Sequence, residues 1–193
     1  MIENNHNQLS LEEEKSLINR AKNDKEAFGE LYEIYFKRIY NYVLHRTSNV
    51  DLSEDLTSQT FMKVLENISK FEWRGLPFQA WLYRIASNVL MSHYRKNKHT
   101  SAVNMDDIQF LIVDKNDSPL EEIKKQENID EIKVKFIEVQ KAISKLKPKY
   151  AEIIALKFFE KKSNSEIAKI MDISEGNLRI RIFRALKTLK NYL

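Results

Sequence analysis

The sequence predicts an all-α protein: two small helical domains joined by an acidic, flexible linker, the C-terminal one carrying a helix-turn-helix. Three observations lead there. Apolar residues recur every three or four positions almost throughout the 193 residues, the period of a helix with one buried face. No segment shows the strict apolar–polar alternation of a half-buried strand bounded by turn residues. Only three glycines and three prolines interrupt the chain, so its loops are few.

The first long pattern runs through Ala27, Phe28, Leu31, Tyr32, Ile34, Tyr35, Ile39, Tyr42 and Val43, as one long helix or two abutting ones. The second starts at Asp51 and carries Leu52, Leu56, Phe61, Val64, Leu65 and Ile68, with capping side chains in the preceding Ser-Asn-Val-Asp. The stretch KFEWRGLPF, 70–78, holds a glycine and a proline and reads as a loop. A third helix follows from Phe78 to about Lys98. From 100 to 131 the periodicity fades and acidic residues (Asp106, Asp107, Asp114, Asp117, Glu121, Glu122) outnumber basic ones, the signature of a solvated tether. Helices are expected again near 132–146, 149–160, 164–171 and 175–191, with Pro148 separating the first two. The expected domains are therefore 1–99 and 132–193, with 100–131 between them.

Composition narrows the function. With 42% hydrophobic and 31% charged residues the chain suits a folded domain. It has no cysteine, which excludes disulfides and thiolate metal sites. His6, His45, His93 and His99 are scattered without metal-ligand spacing, and no glycine-rich phosphate loop occurs, so no metal and no cofactor are expected. No nucleophile–base pairing stands out, which predicts neither an enzyme nor a small-molecule substrate and leaves no catalytic residue to name. No run of about 18 apolar residues and no signal-peptide pattern is present, so a cytoplasmic location is expected. The net charge of +4 is mild; its distribution says more.

The clearest basic feature is SNSEIAKIMDISEGNLRIRIFRALKTL, 163–189. It reads as two helices broken at Met-Asp-Ile-Ser. Ser174 is placed to cap the second, and Glu175 suits its positive end. Projected at 100° per residue, Leu178, Ile182, Ala185, Leu186 and Leu189 share one side. Asn177, Ile180, Arg181, Arg184 and Thr188 share the other. Ala168 lies where two helices cross closely, and Ile167 and Met171 face the core, which is the helix-turn-helix pattern. Such a second helix enters the major groove, where arginine bonds guanine and an apolar group touches a thymine methyl. The same residues also fit a solvated basic face, and Asp172 stands where a glycine is common. In the earlier helix Trp81, Arg84, Asn88, Met91 and Arg95 run down one strip. An aromatic among cations suits unstacked bases and phosphates, though a tryptophan is as commonly core.

EDLTSQTFMKVLENISKF followed by PFQAWLYRIASNVLMSHYRKNK resembles the N-terminal conserved domain of extracytoplasmic-function (ECF) sigma factors. The opening NDKEAFGELYEIYFKRIYNYV fits the same domain, and SEIAKIMDISEGNLRIRIFRAL resembles the family's C-terminal domain, in the right order and at the right separation. The resemblance implies a protein that binds core RNA polymerase, directs it to two-part promoters and helps melt them. It implies contact of Asp55, Gln59 and Phe61 with the clamp coiled coil of the largest polymerase subunit. The loop with Trp73 and Arg74 would capture a base flipped from the −10 element, and Trp81, Arg84 and Asn88 would separate and read that element. Arg95 would hold backbone phosphate, and Asn177, Arg179, Ile180, Arg181 and Arg184 would meet the −35 element. Ile180 departs from the small polar residue common there, which shifts the −35 sequence read. Phe183 packs either beside the DNA or in the core on this reading. An anti-sigma factor, in many members bound to the membrane, is the further partner implied. A stand-alone helix-turn-helix regulator and a non-transcribing sigma-like adaptor are the rival readings.

Overall fold

The computed structural model describes residues 9–73, 77–96 and 129–193. Helix α1 spans Leu11–Ala21, α2 Lys25–Thr47, α3 Val50–Asn67 and α4 Phe78–Lys96, with a short 3₁₀ turn Ile68–Lys70 after α3. The C-terminal segment has α5 Ile129–Ser144, α6 Pro148–Ile154, α7 Asn164–Met171 and α8 Glu175–Lys190. The linker, save for its last residues in α5, lies outside the described residues.

Local chemistry explains the boundaries. Helix α1 precedes the first apolar pattern and starts in a capping box, with Ser10 and Glu13 each bonding the other's backbone N–H. Asp24 caps α2, and Asn49 caps α3 through its side chain to the Leu52 N–H at 2.7 Å. Pro148 opens α6, where its missing N–H costs nothing. The end of α6 widens into a π turn, Ala155–Phe159, closed by the Glu160 N–H on the Ala155 carbonyl at 3.0 Å. A second capping box, Ser163 with Glu166, starts α7. Asp172 ends it in the left-handed region at φ 54°, the conformation for which glycine is the common choice.

The N-terminal helices enclose a core in which Leu31, Ile39, Tyr42, Leu56, Phe78, Leu82, Tyr83 and Leu90 are almost wholly buried. Each such side chain contributes about 1.5–3 kcal/mol relative to exposure. This core continues into the C-terminal segment through Ile153, Leu156, Ile167, Ala168, Ile170 and Leu178. What the C-terminal helices bury among themselves is a smaller cluster of Ile143, Leu146, Ala151, Ile154 and Ala185.

Candidate nucleic-acid interface

Helix α8 is fixed by Ser174, whose hydroxyl accepts the Asn177 N–H at 3.2 Å. Leu178 and Ala185 are fully buried and Ile182 and Leu189 half-buried, the inward side expected from projection. Leu186, assigned to that side, is 41% exposed instead. Arg179, Ile180 and Arg184 are exposed. Phe183, left open between core and DNA, is 68% exposed and lies outside the core. Arg181 is half-buried and its Nε donates to the Asn177 side-chain oxygen at 2.9 Å, which orients the guanidinium along the helix.

Asn177, Arg181 and Arg184 border a cleft of about 480 Å³ whose other walls are Met91 of α4 and Lys147, Pro148, Lys149 and Tyr150 at the start of α6. Four cations and no carboxylate line it, so its potential is positive and suits a phosphate backbone. Lys147 and Lys149 were not singled out from sequence; the Lys-Pro-Lys run at a helix start was the available signal.

The second expected surface is built on α4 and the turn before it. Trp81 is half-buried, its ring 5.0 Å from Phe71 and 5.5 Å from Phe78. Trp73 stands edge-on to Phe71 at 6.1 Å, with the Lys15 ammonium 5.7 Å from its centroid. The two tryptophans thus form one half-open aromatic wall, and both the core and the exposed reading of Trp81 are partly right. Asn88 and Arg95 are exposed. Arg74 lies outside the described residues. Arg84 is already engaged: its Nη2 donates to the Lys169 carbonyl at 2.6 Å and its Nε to the Ile170 carbonyl at 3.3 Å, at the C-terminal end of α7. A cation there is favoured by the helix dipole.

Helix α3 supplies the third surface. Asp55 and Gln59 are exposed and bonded to each other at 2.9 Å. Phe61 does not join them. It is only 4% exposed, its ring 4.8 Å from Tyr32 and 6.2 Å from Phe36, because it points inward with Leu56 and Val64. The exposed apolar groups on α3 are Met62 and Leu65, at 64% and 50%, whereas Thr57 and Thr60 are buried. Threonines inside and apolar groups outside is an inversion that burial alone does not favour.

Comparison with known proteins follows the same division. Residues 31–100 match the family model for sigma-70 region 2 and residues 136–189 the model for sigma-70 region 4. The chain is 31% identical over 181 residues to the ECF RNA polymerase sigma factor BldN of Streptomyces coelicolor, covering 92% of this chain and 64% of that longer protein. It is 29% identical over 176 residues to the ECF RNA polymerase sigma factor SigW of Bacillus subtilis, covering 89% and 91%. Among solved structures, the fold is shared with CnrH in complex with the cytosolic domain of CnrY, at TM-score 0.64 and 20% identity, covering 92% of this chain and 95% of that one. It is also shared with RpoE in complex with the anti-sigma factor NepR from Bartonella quintana, at TM-score 0.62 and 21% identity, covering 86% and 95%.

Proposed function

We infer how the molecule works from one premise: the chain belongs to the ECF RNA polymerase sigma factors of the sigma-70 family. It is a transcription initiation factor that brings core RNA polymerase to promoters. The observation that carries this is the presence of both sigma regions on one chain in order, the second with an exposed cationic helix.

In the proposed division of labour, α3 docks on core polymerase through Asp55 and Gln59, with Met62 and Leu65 supplying the apolar contact assigned from sequence to Phe61. Helix α8 reads the −35 element through Asn177, Arg179, Ile180, Arg181 and Arg184, and the exposed Phe183 lies beside the DNA. Lys147 and Lys149 hold phosphate at its edge. Trp73, Trp81, Arg84, Asn88 and Arg95 serve the −10 element. Melting follows from capture: bases stacked on the aromatic wall offset lost pairing, at about 1–3 kcal/mol per stacked base. The protein catalyses nothing on this reading. Its proposed location is the cytoplasm; among the described residues no helix is long and apolar enough to cross a membrane. An anti-sigma factor completes the proposed partners, its placement at the membrane being a further part of the proposal; RpoE in complex with the anti-sigma factor NepR is a precedent for the pairing alone.

Run-off transcription tests this. Purified protein is added to bacterial core polymerase on genomic fragments, with core alone as control. Discrete new transcripts are expected, and raising salt should suppress holoenzyme binding steeply, because each neutralised phosphate contributes a slope of about −0.9 in log K against log salt. Core binding without transcripts would leave an adaptor, and operator binding without core a stand-alone regulator.

A further inference from the structure

Helix α1 lies ahead of residues 31–100, the segment that matches sigma-70 region 2, yet it is built against the aromatic wall of that segment. Leu17, Ile18 and Ala21 bury its inner face in the N-terminal core. Polar contacts fix it along α2: the Tyr35 hydroxyl donates to Glu14, and one Arg20 nitrogen donates to both Glu30 oxygens at 2.9 Å. Lys15 is therefore presented at a set register on a braced helix. From there its ammonium stands 5.7 Å from the centroid of Trp73, close enough for the ring face to attract a cation.

Trp73 gains from such a brace. It sits three residues past the 3₁₀ turn, in no helix, and is half-buried; Phe71 meets it edge-on at 6.1 Å. A ring whose orientation is already fixed loses less freedom when a base stacks on it. The other partner of Lys15 is Glu12, 3.0 Å away and one helical turn back. The Glu12 side chain is 83% exposed and that of Lys15 35%, so the pair contributes little and is open to exchange. An ammonium has three donors, and a phosphate arriving beside Trp73 can replace Glu12 without drawing the ammonium off the ring.

We propose that α1 belongs to the strand-reading surface, with Lys15 acting twice: its ammonium fixes the Trp73 ring for a stacked base and, with Glu12 displaced, holds a phosphate of the same single strand. The DNA half of this rests on the sigma-factor reading above; the bracing of the ring does not.

Trp73 and Trp81 are the chain's only tryptophans, so fluorescence reads this wall directly. In a Trp81→Phe background Trp73 is the single emitter of the free protein. There Lys15→Met, which keeps a side chain of similar length without the charge, should shift the ratio of held to free ring about two- to fivefold. The shift is read as lower emission anisotropy and faster acrylamide quenching. Lys15→Arg should restore both, because a guanidinium also stacks on a ring. For the strand, the probe is a promoter fragment recovered by run-off transcription, its −10 non-template strand left unpaired, bound by protein and core polymerase together. Lys15→Met should bind it about fivefold or more weakly, with a log K against log salt slope shallower by about 0.7, the share of one single-strand phosphate. Binding of a duplex carrying the −35 element alone should not change. Glu12→Gln, which frees the ammonium, should tighten binding of the unpaired fragment. Circular dichroism checks that the variants keep the wild-type helix content. An unmoved Trp73 signal in Lys15→Met overturns the brace. An unchanged salt slope, or an equal loss on the −35 duplex, overturns the phosphate contact. Should the wild-type protein open no promoter with core polymerase, the sigma-factor reading falls and the DNA half with it, while the brace is still decided in the free protein.

Discussion

The N-terminal and C-terminal helices are built to different standards of self-sufficiency. The first four helices bury their largest side chains against each other, Tyr42, Phe78 and Tyr83 among them. The last four share a cluster of five fully buried residues and complete their burial on α2 and α4.

The comparison can be broken first at its strong end. Phe78→Ala removes an almost fully buried ring that touches Tyr35, Phe71 and Trp81, and should cost about 3–5 kcal/mol. Because the C-terminal helices lean on this core, chemical denaturation should show both segments unfolding together. A C-terminal segment that survived the N-terminal one would contradict the dependence.

Acid probes the place where the two halves meet. His45 lies between Phe159 and the Gln140 amide, 3.2 Å from its Nδ1, and burial lowers its pKa to about 4. In the unfolded chain it titrates near 6.5, so between those values the unfolded state binds the extra proton. This contribution is intact above about pH 6.5 and falls as pH drops toward 4, by about 3 kcal/mol at most. Thermal melts across that window should show the decline, and His45→Gln should flatten it.

At the reading head the effects are smaller and local. Arg181→Ala and Arg184→Ala should each weaken −35 binding by about 1–3 kcal/mol if the residue bonds a base, with little change in melting temperature. Footprinting on matched and mismatched −35 elements separates base contact from phosphate contact, since the latter weakens all sequences alike. Smallest of all, Asp172→Gly relieves a left-handed residue at φ 54°. It should stabilise the protein by less than about 1 kcal/mol, because glycine's freedom in the unfolded chain offsets part of the gain.

Much of this architecture was legible in the sequence because it is local. Helical periodicity, the Ser174 cap and the small Ala168 at a helix crossing are all set within a few residues, and all stand in the structure. Helix α1 escaped notice because its apolar face is short; its capping box, Ser10 with Glu13, was the better sign. Phe61 was assigned to a partner surface by the resemblance of its helix to the family's polymerase-docking helix, although its spacing with Leu56 and Val64 put it on the apolar face; packing against Tyr32 and Phe36 decides for the core. The bonds between the two halves were the least legible feature. Tyr83 and Glu160 are 77 positions apart and Ser87 and Glu152 are 65 apart, and nothing in a one-dimensional pattern pairs them.

The π turn at Ala155–Phe159 marks where this chain can vary in length. A π turn holds one residue more than an α-helix needs, and its wider backbone absorbs the roughly 100° by which that residue would otherwise rotate everything after it. Within the turn Leu156 faces the shared core and Phe159 stacks on His45, and Glu160 just after it reaches Tyr83. Removing one residue inside the turn would restore a plain α-helix and keep its two ends in register, whereas the same deletion earlier in α6 would rotate them apart. Single-residue length changes among relatives should therefore collect at this turn, and an alignment of such sequences should show its gaps there.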